Sequence, residues 1–266
     1  MKAHIKNSTS ISPSFSVIVS TYHRPDFLDI LVESILSQTL QPIEVIVVEG
    51  GDADSFLATQ NALSRWVGQI SVVLCAASTL GESRNYGVTL ARGNWCAFSD
   101  DDDLWHPEKL AVLANLAMDQ DVISHGYHRS PNPAQRSFGS LAVRGKAIER
   151  NAYSLFLHFL GNRYGGGSSL SARTVTCKAI RFDETMSSCE DIEWIIRCLL
   201  SGSRMGFIQR PLVIYRQHAG RMTGKQRKVA LWEMSMVGRF LYIPVGFLFG
   251  IVAKLLRSLI RLFISR

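Results

Sequence analysis

Residues 95–110 read WCAFSDDDDLWHPEKL, a short apolar run that ends in four consecutive aspartates, Asp100 to Asp103. The apolar part predicts a buried strand. Pro107 suits the first turn of a helix, and apolar residues recur at helical spacing as far as Met118. The aspartates therefore lie on a turn at the carboxyl end of a strand, which is the edge of an open α/β sheet where ligands bind.

The four adjacent carboxylates repel one another, and each raises its neighbours' pKa unless a cation is present. Mg²⁺ and Mn²⁺ prefer oxygen ligands of this kind and would in turn hold a phosphate. A solvated acidic turn with one N-capping aspartate is the structural alternative. It explains one or two of the aspartates but not four, so we predict a metal site that serves a phosphate.

Around this stretch, strand patterns alternate with helix patterns. Strands are predicted at 15–21, 43–48, 70–75, 95–98 and 121–127, and three short ones at 170–172, 206–209 and 212–216. The second helix is predicted to bury an apolar stripe made of Phe56, Leu57, Leu63 and Val67. The pattern predicts a Rossmann-like, mostly parallel central sheet with helices on both faces. No dinucleotide fingerprint or P-loop is present, so Arg24 and Arg84 are the candidates for helping a metal hold phosphate.

Positive charge is concentrated at one end of the chain. The 266 residues carry a net charge of +7, and from Arg216 onward ten Lys and Arg stand against the single acid Glu233. Residues 1–215 are left with a net charge of −2. This asymmetry disfavours a general nucleic-acid binder, which spreads positive charge over a folded face, and favours contact with anionic lipid. The five cysteines form no C-x-x-C pair, which indicates neither a zinc site nor a disulfide framework.

The last 40 residues predict a membrane-associating tail. Residues 240–253 carry no charge, and Lys254, Arg257 and Arg261 then recur on one helical face. A basic amphipathic helix of this kind lies in a membrane interface. The uncharged stretch is short for a span of about 20 residues, and a helix packed on the folded domain or on a dimer partner is the alternative. Residues 1–14 have no long apolar run, so we expect a cytoplasmic protein held peripherally at the inner membrane.

Two further acids and one histidine are candidates for the chemistry. Glu190 and Asp191 begin a predicted helix, where the helix dipole alone would favour acids. Next to a metal site, however, a carboxylate such as Asp191 is suited to activating a hydroxyl nucleophile. His218 could reach the phosphates or the metal, or could simply be solvated. The glycines of 165–169 permit close approach to a ligand, but they also fit an ordinary loop.

In order and spacing, these segments resemble glycosyltransferase family 2, which has the GT-A fold. The resemblance covers residues 15–223. It is carried by SVIVSTYHRP, IEVIVVEGGD, SRNYGVTLARGNW, FSDDDDLWHPEKL, CEDIEWIIR and VIYRQH. It implies a catalytic domain over 15–225, with a nucleotide-binding half (15–127) and an acceptor-binding half (128–225). A flexible segment, 1–14, would precede this domain, and the tail, 226–266, would follow it.

The resemblance also implies roles for individual residues. The donor-binding set is Thr21, Tyr22, Arg24, Glu49, Asp52, Arg84, Asp100 and Asp101. The metal ligands are Asp102 as first choice, with Asp100 and His218, for Mg²⁺ or Mn²⁺. In inverting members of the family the position of Asp191 is the general base, and Glu190 precedes it as in the usual Glu-Asp pair.

Three departures refine the expected activity. Glu49 and His23 stand where the family usually has Asp and Asn, and the Gln-x-x-Arg-Trp signature of processive synthases is missing after Arg216. The missing signature suggests transfer of one sugar per binding event, and the resemblance implies that this transfer is inverting and metal-dependent. The donor would be a UDP, dTDP or GDP sugar, and the acceptor a glycan or lipid-linked molecule in surface polysaccharide or lipopolysaccharide assembly. The alternatives are a nucleotidyltransferase and a non-catalytic, membrane-associated sugar-nucleotide or glycan-binding protein.

Overall fold

The computed structural model describes residues 12–77, 79–130, 145–148 and 166–218, together with 231, 233 and 234. The predicted tail of 226–266 and the predicted segment of 1–14 lie almost wholly outside these residues. The strands are β1 (Phe15–Thr21), β2 (Glu44–Glu49), β3 (Ser71–Leu74), β4 (Trp95–Asp100), β5 (Asp103–Trp105), β6 (Val122–Ser130), β7 (Gly145–Ile148), β8 (Leu170–Arg173) and β9 (Met205–Arg216). The helices are α1 (Leu28–Leu36), α2 (Ala53–Ala62), α3 (Leu80–Leu90), α4 (Lys109–Ala117), α5 (Thr174–Ala179) and α6 (Glu190–Leu200).

The described strands form one nine-stranded sheet in the order β3-β2-β1-β4-β8-β6-β9-β5, with β7 paired to β9. The first four strands of this order are parallel, and β8 is antiparallel to both β4 and β6. The register sets Thr21 opposite Glu49 and Ser20 opposite Asp100. The carboxyl ends of β1, β2 and β4 therefore meet at one edge, which confirms the predicted α/β class and brings the predicted site residues to that edge.

The core lies on both faces of this sheet, since successive side chains of a strand point to opposite faces. Val17 and Val19 pack with α1 and α4, whereas Ile18 packs with α3 and α6 on the other face. Covering on both faces explains the continuous apolar runs in the sequence.

The predicted apolar stripe of the second helix is wrong. Leu57 is 56% exposed and Val67 80% exposed, although Leu63 is buried. Instead α2 buries Ser55 and Thr59. Both face polar partners at the end of β2, where Thr59 donates a hydrogen bond to Glu49 and Ser55 pairs with Asp52, so polar side chains occupy the inner face.

The chain beyond Gly202 also differs from the prediction. One strand, β9, replaces the two short strands expected there. Its pairing with β6 slips in register near Gly126, which then lies opposite Pro211. The bulge accommodates a proline, which has no backbone N–H to donate. The turn of the aspartate cluster continues into β5, which pairs with the end of β9.

In the described part of the chain, no helix combines the length and apolarity needed to cross a bilayer. None of the five cysteines, all of which the structure describes, forms a disulfide bond.

We expect Trp194→Ala to lower the free energy of unfolding by about 3–5 kcal/mol, the usual cost of removing a large buried aromatic side chain. Trp194 is fully buried, stacks on Phe182 with ring centroids 4.9 Å apart, and donates its indole N–H to the Ile180 carbonyl. Urea unfolding measures the loss, and the exposed Leu57→Ala is the matched control. Equal losses in the two variants would contradict the assigned core.

Candidate active site

Asp101 joins the acidic turn to the loop after β1. Its buried carboxylate accepts hydrogen bonds from the Thr21 hydroxyl at 2.9 Å and from Nη2 and Nε of Arg24 at 2.5 and 3.1 Å. Burial raises the pKa of Asp101 to about 7 although the Arg24 charge opposes this rise. Asp101 therefore faces its own chain and fixes the position of Arg24.

Asp102 is the next carboxylate of the turn and lies at the end of β9. Its Oδ2 is 3.2 Å from Nη1 of Arg24 and 2.9 Å from Nε2 of His218. The main-chain carbonyl of Asp102 accepts a hydrogen bond from Arg216 at 2.6 Å. The fold thus brings together Asp102 and His218, two predicted metal ligands that are 116 residues apart in the sequence.

Arg84 links the acidic turn to α6. It is buried, and its guanidinium donates to Oδ1 of Asp100 at 2.9 Å and to Oε1 of Glu190. Burial disfavours this charge, yet the two carboxylates hold the pKa of Arg84 above its ordinary value. Among the described residues, both hydrogen bonds of Arg84 go to acids of its own chain. Arg84 therefore lies between the acidic turn and the first turn of α6.

Asp191 lies in the first turn of α6 beside this ion pair. The helix begins after Cys189, whose φ of 63° is in the left-handed region. Burial raises the pKa of Asp191 to about 7, the Glu190 charge adds to this rise, and Arg84 opposes it. A half-buried carboxylate with a pKa near neutrality is well matched to accepting a proton.

A turn at Gly166–Ser168 lies between two acidic groups, Asp100 at the end of β4 and Asp191 in α6. A Cβ built on Gly166 would lie 3.4 Å from the Tyr215 hydroxyl and 3.6 Å from Oδ2 of Asp191. One built on Gly167 would clash with Nη2 of Arg84 and would lie 3.0 Å from Oδ1 of Asp100. Only glycine therefore allows the backbone to lie against Arg84 at this point.

The ends of β1 and β2 form the other side of the site. Glu49 is buried and accepts hydrogen bonds from the backbone N–H groups of Gly51 and His23 and from the Thr59 hydroxyl. Asp52 caps α2 by accepting from the Ser55 N–H at 2.9 Å. Tyr22, in contrast, is 56% exposed. Of these predicted donor-binding residues, Tyr22 is exposed with its ring centroid 4.6 Å from that of His23, whereas Glu49 and Asp52 hold their own loops in place.

Three residues of the site received no individual role from the sequence: Ser168, which lies in the 165–169 stretch, Lys109 and Tyr215. The Ser168 hydroxyl accepts a hydrogen bond from the Asp100 N–H at 2.7 Å, and its carbonyl accepts one from the Lys109 ammonium at 2.8 Å. One signal was available for Lys109. It precedes the buried Leu113 and Ala117 at four-residue intervals, so it lies on the inner face of α4.

The acid cluster fits a metal only with help from a ligand. Within the described ranges, no three His, Cys, Asp or Glu side chains are grouped so as to hold a metal ion. Asp100, at the end of β4, and Asp102, two residues later in the turn, nevertheless offer carboxylate oxygens. Mg²⁺ is often held by one or two carboxylates with substrate phosphates completing its coordination, and this donor set fits that pattern.

The sequence model of glycosyl transferase family 2 matches residues 16–184, so the chain belongs to this family. The predicted resemblance is thereby confirmed. The matched segment ends before Asp191, which is why the role of that residue remains a prediction.

Curated relatives agree with the family match. The chain is 25% identical over 231 residues to the uncharacterized glycosyltransferase EpsJ of Bacillus subtilis, covering 83% of this chain and 66% of EpsJ. It is 27% identical over 223 residues to the amylovoran biosynthesis glycosyltransferase AmsB of Erwinia amylovora, covering 81% and 73%. The chain thus spans about two thirds of the length of EpsJ.

Solved structures share the fold. S. aureus TarS 1-349 in complex with UDP-GlcNAc superposes with a TM-score of 0.68 at 18% identity, covering 92% of this chain and 72% of that one. The mannosyltransferase PcManGT of Pyrobaculum calidifontis, in complex with GDP-Man and Mn²⁺, superposes with a TM-score of 0.67 at 16% identity, covering 95% and 73%.

We expect Arg84→Met to lower the free energy of unfolding by about 3–5 kcal/mol, because it leaves Asp100 and Glu190 buried without their shared cation. The matched control is Arg65→Met, since Arg65 is 50% exposed and pairs with Asp29 on the surface. Its loss should be much smaller, because an exposed ion pair contributes little to stability. Chemical denaturation of both variants measures the difference, and similar small losses would show that Arg84 does not bridge two buried acids.

Proposed function

We propose that this protein is an inverting glycosyltransferase that moves one sugar from a nucleoside-diphosphate sugar to a hydroxyl of a glycan or lipid-linked acceptor. The observation that carries the proposal is the placement of Asp191. Its carboxylate, with a pKa near 7, lies across the Gly166–Ser168 turn from Asp100. Direct displacement at a sugar carbon needs a base for the acceptor on one side and a group that holds the departing diphosphate on the other. Asp191 and Asp100 would take these two roles on opposite sides of the turn.

The donor would lie along the edge formed by β1, β2 and β4. The exposed ring of Tyr22 offers a stacking surface for the base, and Arg24 lies between this loop and the acidic turn. Two structural neighbours contain UDP-GlcNAc and GDP-Man, which supports a nucleotide sugar as the donor class.

Asp102 and Asp100 would hold Mg²⁺ or Mn²⁺ together with diphosphate oxygens, and His218 would orient Asp102 or complete the ligand set. Mn²⁺ in one neighbour supports this assignment. When bound, the ion neutralises charge on the diphosphate.

Asp191 would act as the general base that removes the proton from the acceptor hydroxyl. As the acceptor oxygen forms its bond to the anomeric carbon, the bond from that carbon to the diphosphate oxygen breaks on the opposite face, and the configuration inverts. The acceptor proton passes to the Asp191 carboxylate. Glu190 stays paired with Arg84 and holds the first turn of α6 in place.

The pathway we propose is assembly of a surface polysaccharide at the cytoplasmic face of the membrane. The printed role of AmsB in amylovoran biosynthesis supports it. The basic, apolar stretch of 240–263 would hold the enzyme near a lipid-linked acceptor.

We expect Asp191→Asn to lower the transfer rate by a factor of about 10²–10⁴, the range for loss of a general base, with donor binding unchanged. Because the base must be deprotonated, the wild-type rate should rise with pH and level off above about 7, and the variant should lack this rise. Nucleotide release from UDP-GlcNAc and GDP-mannose, followed across pH 5–9 with a polyprenyl-linked sugar as acceptor, measures both. A variant with the wild-type rate and profile would refute the assignment.

We expect a nucleotide and Mn²⁺ together to raise the melting temperature by several degrees, since a ligand at 100 times its Kd adds about 2.7 kcal/mol. UDP, GDP and dTDP, each with and without Mn²⁺, form the test panel. Asp102→Asn should abolish the metal-dependent part of the shift, whereas Asp54→Asn, at an exposed position, should not. A shift that is identical with and without Mn²⁺ for every nucleotide would count against the metal.

A further inference from the structure

The ammonium of Lys109 is buried where a lysine is costly. The side chain is fully inaccessible, and Nζ lies 3.4 Å from the ring centroid of Trp105. Trp105 is itself fixed by a hydrogen bond of 3.0 Å from its indole N–H to the Ser99 hydroxyl. Lysines are almost never fully buried unless they are paired, so this position calls for a role.

Among the described residues, Lys109 makes one hydrogen bond, to the carbonyl of Ser168 at 2.8 Å. The carboxylates of Asp103 and Asp100 lie close enough for their negative charges to favour the ammonium. Within this charged environment two direct contacts fix the ammonium, one with the Trp105 ring and one with the Ser168 carbonyl.

The carbonyl that Lys109 holds belongs to the turn between the two acidic groups. The Ser168 hydroxyl accepts from the Asp100 N–H at 2.7 Å. Gly167 lies against Arg84 and Asp100, and Gly166 lies beside Asp191. No free space separates this turn from Arg84. A small shift of the turn would therefore also displace Arg84 or the acids that lie on either side of it.

We propose that Lys109 is a positioning residue that holds the Gly166–Ser168 turn and thereby sets the spacing between Asp100 and Asp191. It touches no substrate and acts through Ser168. The inference rests on the proposed function in its kinetic consequence, but its structural part stands independently.

Lys109→Met tests the proposal, since it keeps the length of the side chain and removes the donor. The matched control is Lys178→Met, at an exposed position of α5. Hydrogen exchange followed by mass spectrometry should show amide exchange at least ten times faster in the Gly166–Ser169 peptide, with β1 and β2 unchanged. Exchange in this peptide that is as slow as in the wild type, or exchange that is equally faster in β1 and β2, would overturn the positioning role of Lys109.

Kinetics provide the second readout. With UDP-GlcNAc or GDP-mannose and Mn²⁺, kcat of Lys109→Met should fall at least tenfold while the donor KM stays within twofold, and Lys109→Gln should recover part of kcat. If Lys109→Met does not fold, Ser168→Ala, which keeps the carbonyl but removes the acceptor for Asp100, should lower kcat about tenfold. Wild-type kcat in Ser168→Ala would overturn the proposal. A wild-type enzyme inactive with every donor would count against the proposed function alone, because the exchange result does not depend on turnover.

Discussion

The bridge from Asp100 through Arg84 to Glu190 is the constraint on which the site depends. It spans 106 residues of sequence between Arg84 and Glu190 and joins the end of β4 to the first turn of α6. Without it, the acidic turn and the predicted base would belong to two separately placed elements. A buried guanidinium suits this position because it stays charged and presents several donors in a rigid plane.

The same logic extends to the rest of the acid cluster. Arg24 neutralises Asp101 and approaches Asp102, and Asp103 lies close enough to Lys109 to offset in part the burial that lowers the lysine pKa. The four adjacent carboxylates are thus stabilised by three cations, Arg24, Arg84 and Lys109, which come from different parts of the chain. The sequence argument that a metal must be present was therefore stronger than the structure requires, and the case for a metal now depends on Asp100, Asp102 and the diphosphate.

The prediction from sequence was accurate where one local pattern decided the outcome. The β1, β2 and β4 runs are continuous and apolar, so their strands and the location of the aspartates followed directly. It failed where a distant partner decided. Leu57 was expected inside because it is apolar, but Thr59 took the inner position through its bond to Glu49. Nothing local to Arg84 signals that Glu190 will bind it, and nothing local to Ser168 signals that it faces Asp100.

The place of β8 in the sheet has a consequence for how the protein is made. β8 lies between β4 and β6, yet it is contributed by Leu170–Arg173, some 70 residues after β4 ends. A nascent chain that has just released β4 and β6 from the ribosome holds two strands whose facing edges cannot pair with each other in the native order. We expect the part of the sheet made by β1 to β4 to stay open at this edge until the later strand arrives, so the candidate site is completed late in synthesis, after most of its acids have already been made.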